Sequence, residues 1–541
     1  MKLSASSPLS RFVCLSTSSS ILTLSLALML TTGCSSSGSG SSSGGGGGGQ
    51  QFSGNTQVTV ALTSTANDQL AELNLDFQGI TLTSQSGKTV TLLAAQQPSE
   101  FIHLNGAIDP LITVTIPQDV YTAATLAIPY GESVCIANGM AEGAGLAFAY
   151  YNANLPASSV SVTLPAPITV TGTSMVLALN MVVFSSATVP DCLNPFTGFS
   201  LTPTFTLAPL TLSSSSTDAA NGKFLGLEGE VASLVSSSNG FNLSLAEGPY
   251  GTRTASVSTG SATVFQGISN FPALATRMFV NMDGTLQPDG SIAATRIAVE
   301  DPTAVNMFTG PLLNVDSEVP VLMLYGRQEQ GPLSPGPNGS GYYFDSPYID
   351  FSNAVFGISG QFTNVQNLPF VASFNASNMV AGQNVDLSSG ALSVMGGVYT
   401  PGNTITLIPQ TLNATVIASS ASGSFVDYTV SLASYDLFAT LAVQQGQTTL
   451  LTNPSQVEVY VDSNTQMLNT QALATGSTFR FYGLVFNDNG TLRMDCAHVN
   501  DGVALTPQAS SSGRSRVAQT QTTHHASTNG LLPVITTTTI H

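Results

Sequence analysis

A chain of 541 residues is too long for one hydrophobic core, and its length implies about three or four domains. Apolar residues make up 42% and charged residues only 8%, with Ser, Thr, Gly and Asn filling most polar positions. The net charge of -18 arises from 30 acids against 12 bases with no basic cluster, which excludes a phosphate-tracking surface and hence a nucleic-acid partner. Helix-favouring charged residues are scarce while β-branched residues abound, so the predicted class is all-β and multidomain: one β-sandwich followed by about three small β-barrel-like repeats.

The amino terminus carries Lys2 and Arg11 ahead of an apolar run from Ile21 to Leu30, long enough for a signal-peptide core and too short to span a membrane. The run ends in Thr31-Thr32-Gly33-Cys34. That ending resembles the lipobox of bacterial lipoproteins, although Thr31 occupies the position where the family prefers Leu, and Leu30 lies one residue further out. The resemblance implies removal of residues 1–33, lipidation of Cys34, a membrane partner reached through that lipid, and a location in the bacterial cell envelope. Residues 35–49 are only Ser and Gly, so residues 34–54 are read as a flexible tether.

From residue 55 to 213 the pattern is that of a sandwich. Val58, Val60 and Leu62 alternate, followed by Leu73, Leu75 and Phe77, then Ile80 and Leu82, then Val90 and Leu92. Lys and Arg are absent between Lys88 and Lys223, so this region is expected to hold together by apolar burial and backbone pairing without internal ion pairs. Val58-Thr59-Val60-Ala61-Leu62-Thr63, the Leu73-to-Leu82 strand pair, Val176-Leu177-Ala178-Leu179-Asn180 and a finish centred on Pro203 resemble an amino-terminal domain of unknown function of bacterial lipoproteins. The resemblance implies a transthyretin-like sandwich. Ser64-Thr65-Ala66-Asn67-Asp68 replaces the Asp-Ala-Pro-like turn that the family often carries. Cys135 and Cys192 fall in this one domain of an exported chain and are read as a disulfide pair, while Cys496 is read as a small buried apolar residue.

Beyond a polar linker the chain repeats at roughly one hundred residues. Leu274-Ala275-Thr276, Gly284 and Asp289-Gly290-Ser291-Ile292 lie in the same order as Leu473-Ala474-Thr475, Gly483 and Asn489-Gly490-Thr491-Leu492, and both sets read as hairpins. The opening strands are matched as Gly226-Leu227-Glu228-Gly229-Glu230-Val231 and Ser422-Gly423-Ser424-Phe425-Val426. A more divergent middle copy begins near Met307-Phe308-Thr309-Gly310, lays Met379 to Val385 and Gly390-Ala391-Leu392 on the same frame, and carries a Pro/Gly insertion from Gly331 to Gly341. The boundaries read from these patterns are 223–302, 303–418 and 419–505, with a disordered tail over 506–541 in which Leu531 to Ile540 can add an edge strand. Thr263-Val264-Phe265, the Gly-turn hairpin and Ala294-Thr295-Arg296-Ile297 resemble a small barrel domain of unknown function, found in tandem in secreted bacterial proteins, for which an OB-like fold is implied.

Chemistry is sparse. Of the five His residues, His524, His525 and His541 lie in the tail, and His103 and His498 fall in different domains and are read as structural. No catalytic, cofactor or metal-binding residue is assigned. Asp68, Glu72 and Asp76 are read as solvated charges on a strand edge, and Asp283, Asp289, Asp488 and Asp495 as turn formers. Tyr342, Tyr343, Phe344 and Tyr348 suit either a strand core or a sugar-stacking loop. The expected function is a lipid-anchored, non-enzymatic envelope protein that binds or supports an envelope protein or polysaccharide. A carbohydrate-binding or adhesive surface protein, and a hydrolase with an unrecognised site, are the rival expectations.

Overall fold

The computed structural model describes residues 52–503, apart from 66–68, 106, 139–145, 156–158, 189–199, 213–221, 247–251, 317, 332–347, 391–399, 434–435 and 444–449, together with the strand Thr536–Ile540. Cys34, Cys192, Tyr342, Tyr343, Phe344, His524, His525 and His541 lie outside the described residues. The protein is all-β and multidomain, as the alternating patterns predict: among the described residues, long runs of strand are interrupted by two short helices, Val183–Ser186 and Leu437–Ala442, and three single 3₁₀ turns. No described helix is long and apolar enough to cross a membrane.

The first part of the chain forms three main sheets around one core. In the first sheet Asn55–Thr65 sits between Ser174–Val182, to which it runs parallel, and Asp109–Pro117. The second sheet is built on Asp119–Ala127 and Gly79–Ser84, the third on Leu70–Phe77 and Tyr130–Asn138. Inward residues at every second position, among them Val58, Val60, Leu62, Ile80 and Leu82, meet in a single buried cluster. Phe77, Phe101 and Phe205 lock its centre edge to face, with ring centroids 5.8 to 6.0 Å apart. Thr536–Ile540 pairs in parallel with Leu146–Asn154 and so adds an edge strand to a sheet of the amino-terminal domain.

Three barrels follow, all of one topology. In the first, Lys223–Val235 pairs with Gly240–Ala246 and Phe279–Leu286, Gly240–Ala246 pairs with Thr252–Ser258, and Ile292–Ala298 closes the ring by pairing antiparallel with Phe279–Leu286 and parallel with Thr252–Ser258. The order around the ring is therefore first, second, third, fifth, fourth, with the third and fifth strands parallel. The middle barrel repeats this with Asn306–Asp316, Val321–Leu324, Tyr348–Asp350, Asn384–Ser389 and Thr400–Leu407. The last repeats it with Gln410–Ser422, Phe425–Leu432, Gln456–Val461, Thr478–Asp488 and Thr491–Asp501. An extra short strand runs parallel to the fifth strand in each: Val264–Gln266, Val355–Ile358 and Gln466–Met467.

The entry to the fourth strand is fixed the same way three times. Arg277, Gly382 and Gly476 have φ of 71°, 96° and 88°, and each donates its N–H over 2.8 Å to the opening strand, at the carbonyls of Val231, Leu312 and Val416. A left-handed residue is what turns the backbone back onto the barrel there, and the first barrel carries Arg in that role at a conformational cost that Gly avoids.

Two expectations are corrected by these strands. Gln410–Ser422 pairs entirely within the last barrel, so the boundary read at 418/419 cuts through its opening strand. Ser422-Gly423-Ser424-Phe425 is the turn after that strand, closed by pairing of Ser422 with Phe425, and is not the counterpart of Gly226 to Val231. Both are Gly-marked because Gly423 has φ of 63° in a tight turn and Gly226 has φ of 70° at a strand irregularity; residue type alone does not separate the two uses.

The barrels share apolar cores with their neighbours. Ala61, Ile108 and Val176 of the sandwich belong to the core of the first barrel. Phe370 of the middle barrel stacks against Tyr460 and Phe486 of the last at 5.1 and 5.7 Å, with the Arg493 guanidinium 5.4 Å from its ring centre. Leu437 and Leu441 of the short helix pack with Ala71 and Val134 of the sandwich and Leu313 of the middle barrel.

In the outer barrels the fifth strand carries one extra residue, Thr295 or Ala497, and the register with the fourth strand shifts by one beside Gly284 and Gly483. A Cβ on Gly483 would stand 1.9 Å from the carbonyl oxygen of Asp495. Gly483→Ala is therefore expected to destabilise the last barrel by roughly 1–3 kcal/mol, read as a lower thermal midpoint by circular dichroism; an unchanged midpoint would show that the bulge relaxes freely.

Candidate functional site: a buried polar junction

Leu70–Phe77 reads as a half-buried strand, yet it is buried on both faces. One face fills the sandwich core with Leu73, Leu75 and Phe77. Its other face carries Glu72 and Asn74, both buried: Asn74 Nδ2 and the Tyr325 hydroxyl each donate to Glu72. The expectation of solvated charges is thus overturned for Glu72, because the apparent solvent face of the strand is covered by the middle barrel. Asp68 lies outside the described residues, and Asp76 remains at the edge with Gln96 donating to it at 2.9 Å.

The segment from Ser99 to Asp109 forms the centre of the junction. The Glu100 carboxylate is fully buried and accepts the backbone N–H groups of Leu73, Ile102 and His103 at 3.0, 2.7 and 2.7 Å. His103 bridges two acids, its Nδ1 lying 2.9 Å from Glu100 and its Nε2 3.0 Å from Asp109. Although burial opposes a charged ring, the two carboxylates outweigh it and push the imidazole up to about 10, and the same pairing holds both acids below their ordinary range. His103 thus engages a carboxylate with each ring nitrogen, an arrangement that favours its charged form.

Each barrel adds a group to this segment. Arg253 of the first barrel donates to Ser99 Oγ at 2.8 Å and to Asp109 at 3.2 Å. Arg327 of the middle barrel donates its Nε to the Ala71 carbonyl at 2.8 Å and stands near Glu100. Thr411 of the last barrel donates to the Asn105 carbonyl at 3.2 Å. The interval without Lys or Arg does contain buried charge: His103 supplies one cation internally and Arg253 a second from another domain, which no count within the interval reveals.

Between these elements lies a cavity of about 180 Å³. All four domains line it, through Ile102, His103 and Asn105, through Glu228 and Asn281, through Thr309 and Arg327, and through Gln410 and Tyr482. The Asn105 Oδ1 is buried and accepts no hydrogen bond from the protein. The cavity's mixed polar and apolar lining suits a small polar guest.

Other predicted residues fall apart from this junction. His498 stacks flat on Tyr482 at 4.4 Å and 7° between ring planes, and burial, reinforced by Arg480, lowers it to about 4, so it is neutral. Cys496 is a free, buried thiol whose titration burial pushes up. Cys135 is disulfide-bonded, and Cys192, its expected mate, lies outside the described residues. Asp289 and Asp488 do serve their turns, through Ser291 and Asn489. Asp283 does not: it lies within a strand, pairs with Arg296 at 2.6 Å, and accepts from the Gly226 N–H and Gln361. Asp495 is likewise within a strand and is raised to about 6 by burial. Tyr348 packs against the buried cluster shared by sandwich and barrels. Among the described residues no group of three His, Cys, Asp or Glu side chains is arranged to hold a metal ion.

Two outcomes follow. Across pH 5.5 to 8.5 the nitrogen shifts of His103 should stay those of an imidazolium and those of His498 those of a neutral ring, checked by NMR; a His103 that titrates near pH 6.5 would contradict the double pairing. A folded-state value raised from 6.5 to about 10 also means that this pairing stabilises fully below about pH 6.5 and loses its contribution as pH rises through 10. Arg253→Met leaves the buried Asp109 with one cation in place of two and should lower stability by about 3–5 kcal/mol, read by denaturant titration.

No curated protein matches the chain. Residues 228–298, from Glu228 in the opening strand of the first barrel to the end of its fifth strand, match the family described as a domain of unknown function, DUF5666.

Proposed function

We propose that this protein is a lipid-anchored, non-enzymatic component of the bacterial cell envelope, a rigid β body that binds or supports another envelope component. The observation that carries the reading is the use made of the buried ionisable groups. His103, Glu100, Asp109 and Arg253 are consumed in holding sandwich to barrel, with both ring nitrogens of the imidazolium engaged, so His103 has no free nitrogen to act as a base. The cavity at their centre offers a binding place without a nucleophile poised beside a base. On this reading the first domain is transthyretin-like and the barrels are OB-like, in keeping with five strands closed in the order first, second, third, fifth, fourth.

The anchor rests on the sequence: the apolar run ending at Cys34 and the Ser/Gly tether after it. An envelope protein or polysaccharide remains the partner class, with the carbohydrate reading now drawing on the polar lining of the cavity more than on the Tyr348 region. The test is fractionation of cells fed a labelled fatty acid. Wild-type chain should carry label and sediment with membranes, while Cys34→Ser should carry none and stay as uncleaved precursor. Unlabelled wild-type chain, processed and free of membranes, would overturn the anchor.

A further inference from the structure

The first and middle barrels meet through acids. Glu228 on the opening strand of the first barrel is half-buried and Asp386 on the fourth strand of the middle barrel is buried, and their carboxyl groups are hydrogen-bonded to each other. Two carboxylates have only acceptors, so that bond requires a proton on one of them. Thr309 makes the same demand independently. Its hydroxyl contacts both Glu228 and Asp386, at 2.9 Å for the latter, and with a single proton it can donate to only one.

The site recurs in the fold with different chemistry. Cross-strand pairs at one register are Glu228 with Asn281 in the first barrel, Thr309 with Asp386 in the middle and Asn413 with Arg480 in the last. Only at the joint of the first two barrels do the facing pairs place acid against acid. Around them stand Glu300, with one buried oxygen lacking a hydrogen bond, Asn281, which donates to Glu228 at 3.1 Å, and the Tyr482 ring. The nearby cations are already committed: Arg296 to Asp283, and His103 to Glu100 and Asp109.

We propose that a proton shared between Glu228 and Asp386 locks the first barrel to the middle barrel, and that its loss at alkaline pH loosens this joint. The direction of titration agrees. Burial and the neighbouring acids raise Asp386 well above the carboxylate range, and burial raises Glu228 and takes Glu300 to about 7. For acids raised on folding, the folded state binds more protons than the unfolded one, so the lock is complete below the ordinary carboxylate values and is lost as pH rises through the raised ones.

The experiment compares denaturant midpoints of the full chain and of Asp386→Asn at pH 5, 7 and 9. Asn keeps a donor toward Glu228 and cannot ionise. The two proteins should differ least at pH 5, and the variant should gain on wild type as pH rises, by about one proton's worth of slope. Parallel profiles would overturn the proposal. Should the variant fail to fold, infrared spectroscopy of the wild type decides: a carboxylic-acid carbonyl band present at pH 8 and abolished by unfolding is expected, and its absence from the folded protein would overturn the shared proton.

Discussion

A charge taken out of water must find its counter-charge inside the protein, and that constraint organises this molecule around Glu100 and Asp109. Both carboxylates are buried in the assembled protein, and Asp109 takes one of its two cations, Arg253, from the first barrel. His103 ties them to each other, backbone N–H groups of the same segment hold Glu100, and Arg253 reaches Asp109 from the next domain. Sandwich and barrels are therefore coupled: the bonds from Arg253 to Ser99 and Asp109 form only when the domains are assembled.

Apolar packing supplies the affinity that such bonds direct. Shared clusters join the sandwich to the first barrel and to the middle barrel, and Phe370 joins the middle barrel to the last. Hydrophobic contact is non-directional, whereas a buried ion pair is correct in one register only. A chain with 8% charged residues has few such pairs to place, and the pair of Arg253 with Asp109 sits at a domain joint.

The barrels show how one frame takes on different local roles. A left-handed residue starts every fourth strand, yet it is Arg277 in one copy and Gly in the others, and the polar cross-strand pair at a shared register becomes Glu–Asn, Thr–Asp or Asn–Arg. Backbone topology is kept while side chains at that register are set by what each barrel faces. Divergence of this kind obscures the middle copy in the sequence, since its frame survives in Val380-Ala381-Gly382-Gln383 and little else of the motif does.

By itself the sequence determined the all-β class, the strands of the sandwich and the two Gly-turn hairpins, because alternation with period two and a Gly or Asn at a turn are local signals carried by adjacent residues. It also carries the apolar run from Ile21 to Leu30 and the Thr31-Thr32-Gly33-Cys34 ending, which are read linearly. Only the tertiary structure decided that Glu72 is buried, that Asp283 pairs with Arg296 within a strand, that Thr536–Ile540 returns to the sandwich, and that His103, Arg253 and Arg327 converge. A polar residue on alternate positions of a strand gives the same pattern whether it faces water or another domain's charge. What separates the two is the position of residues more than a hundred places away, and no local pattern encodes that.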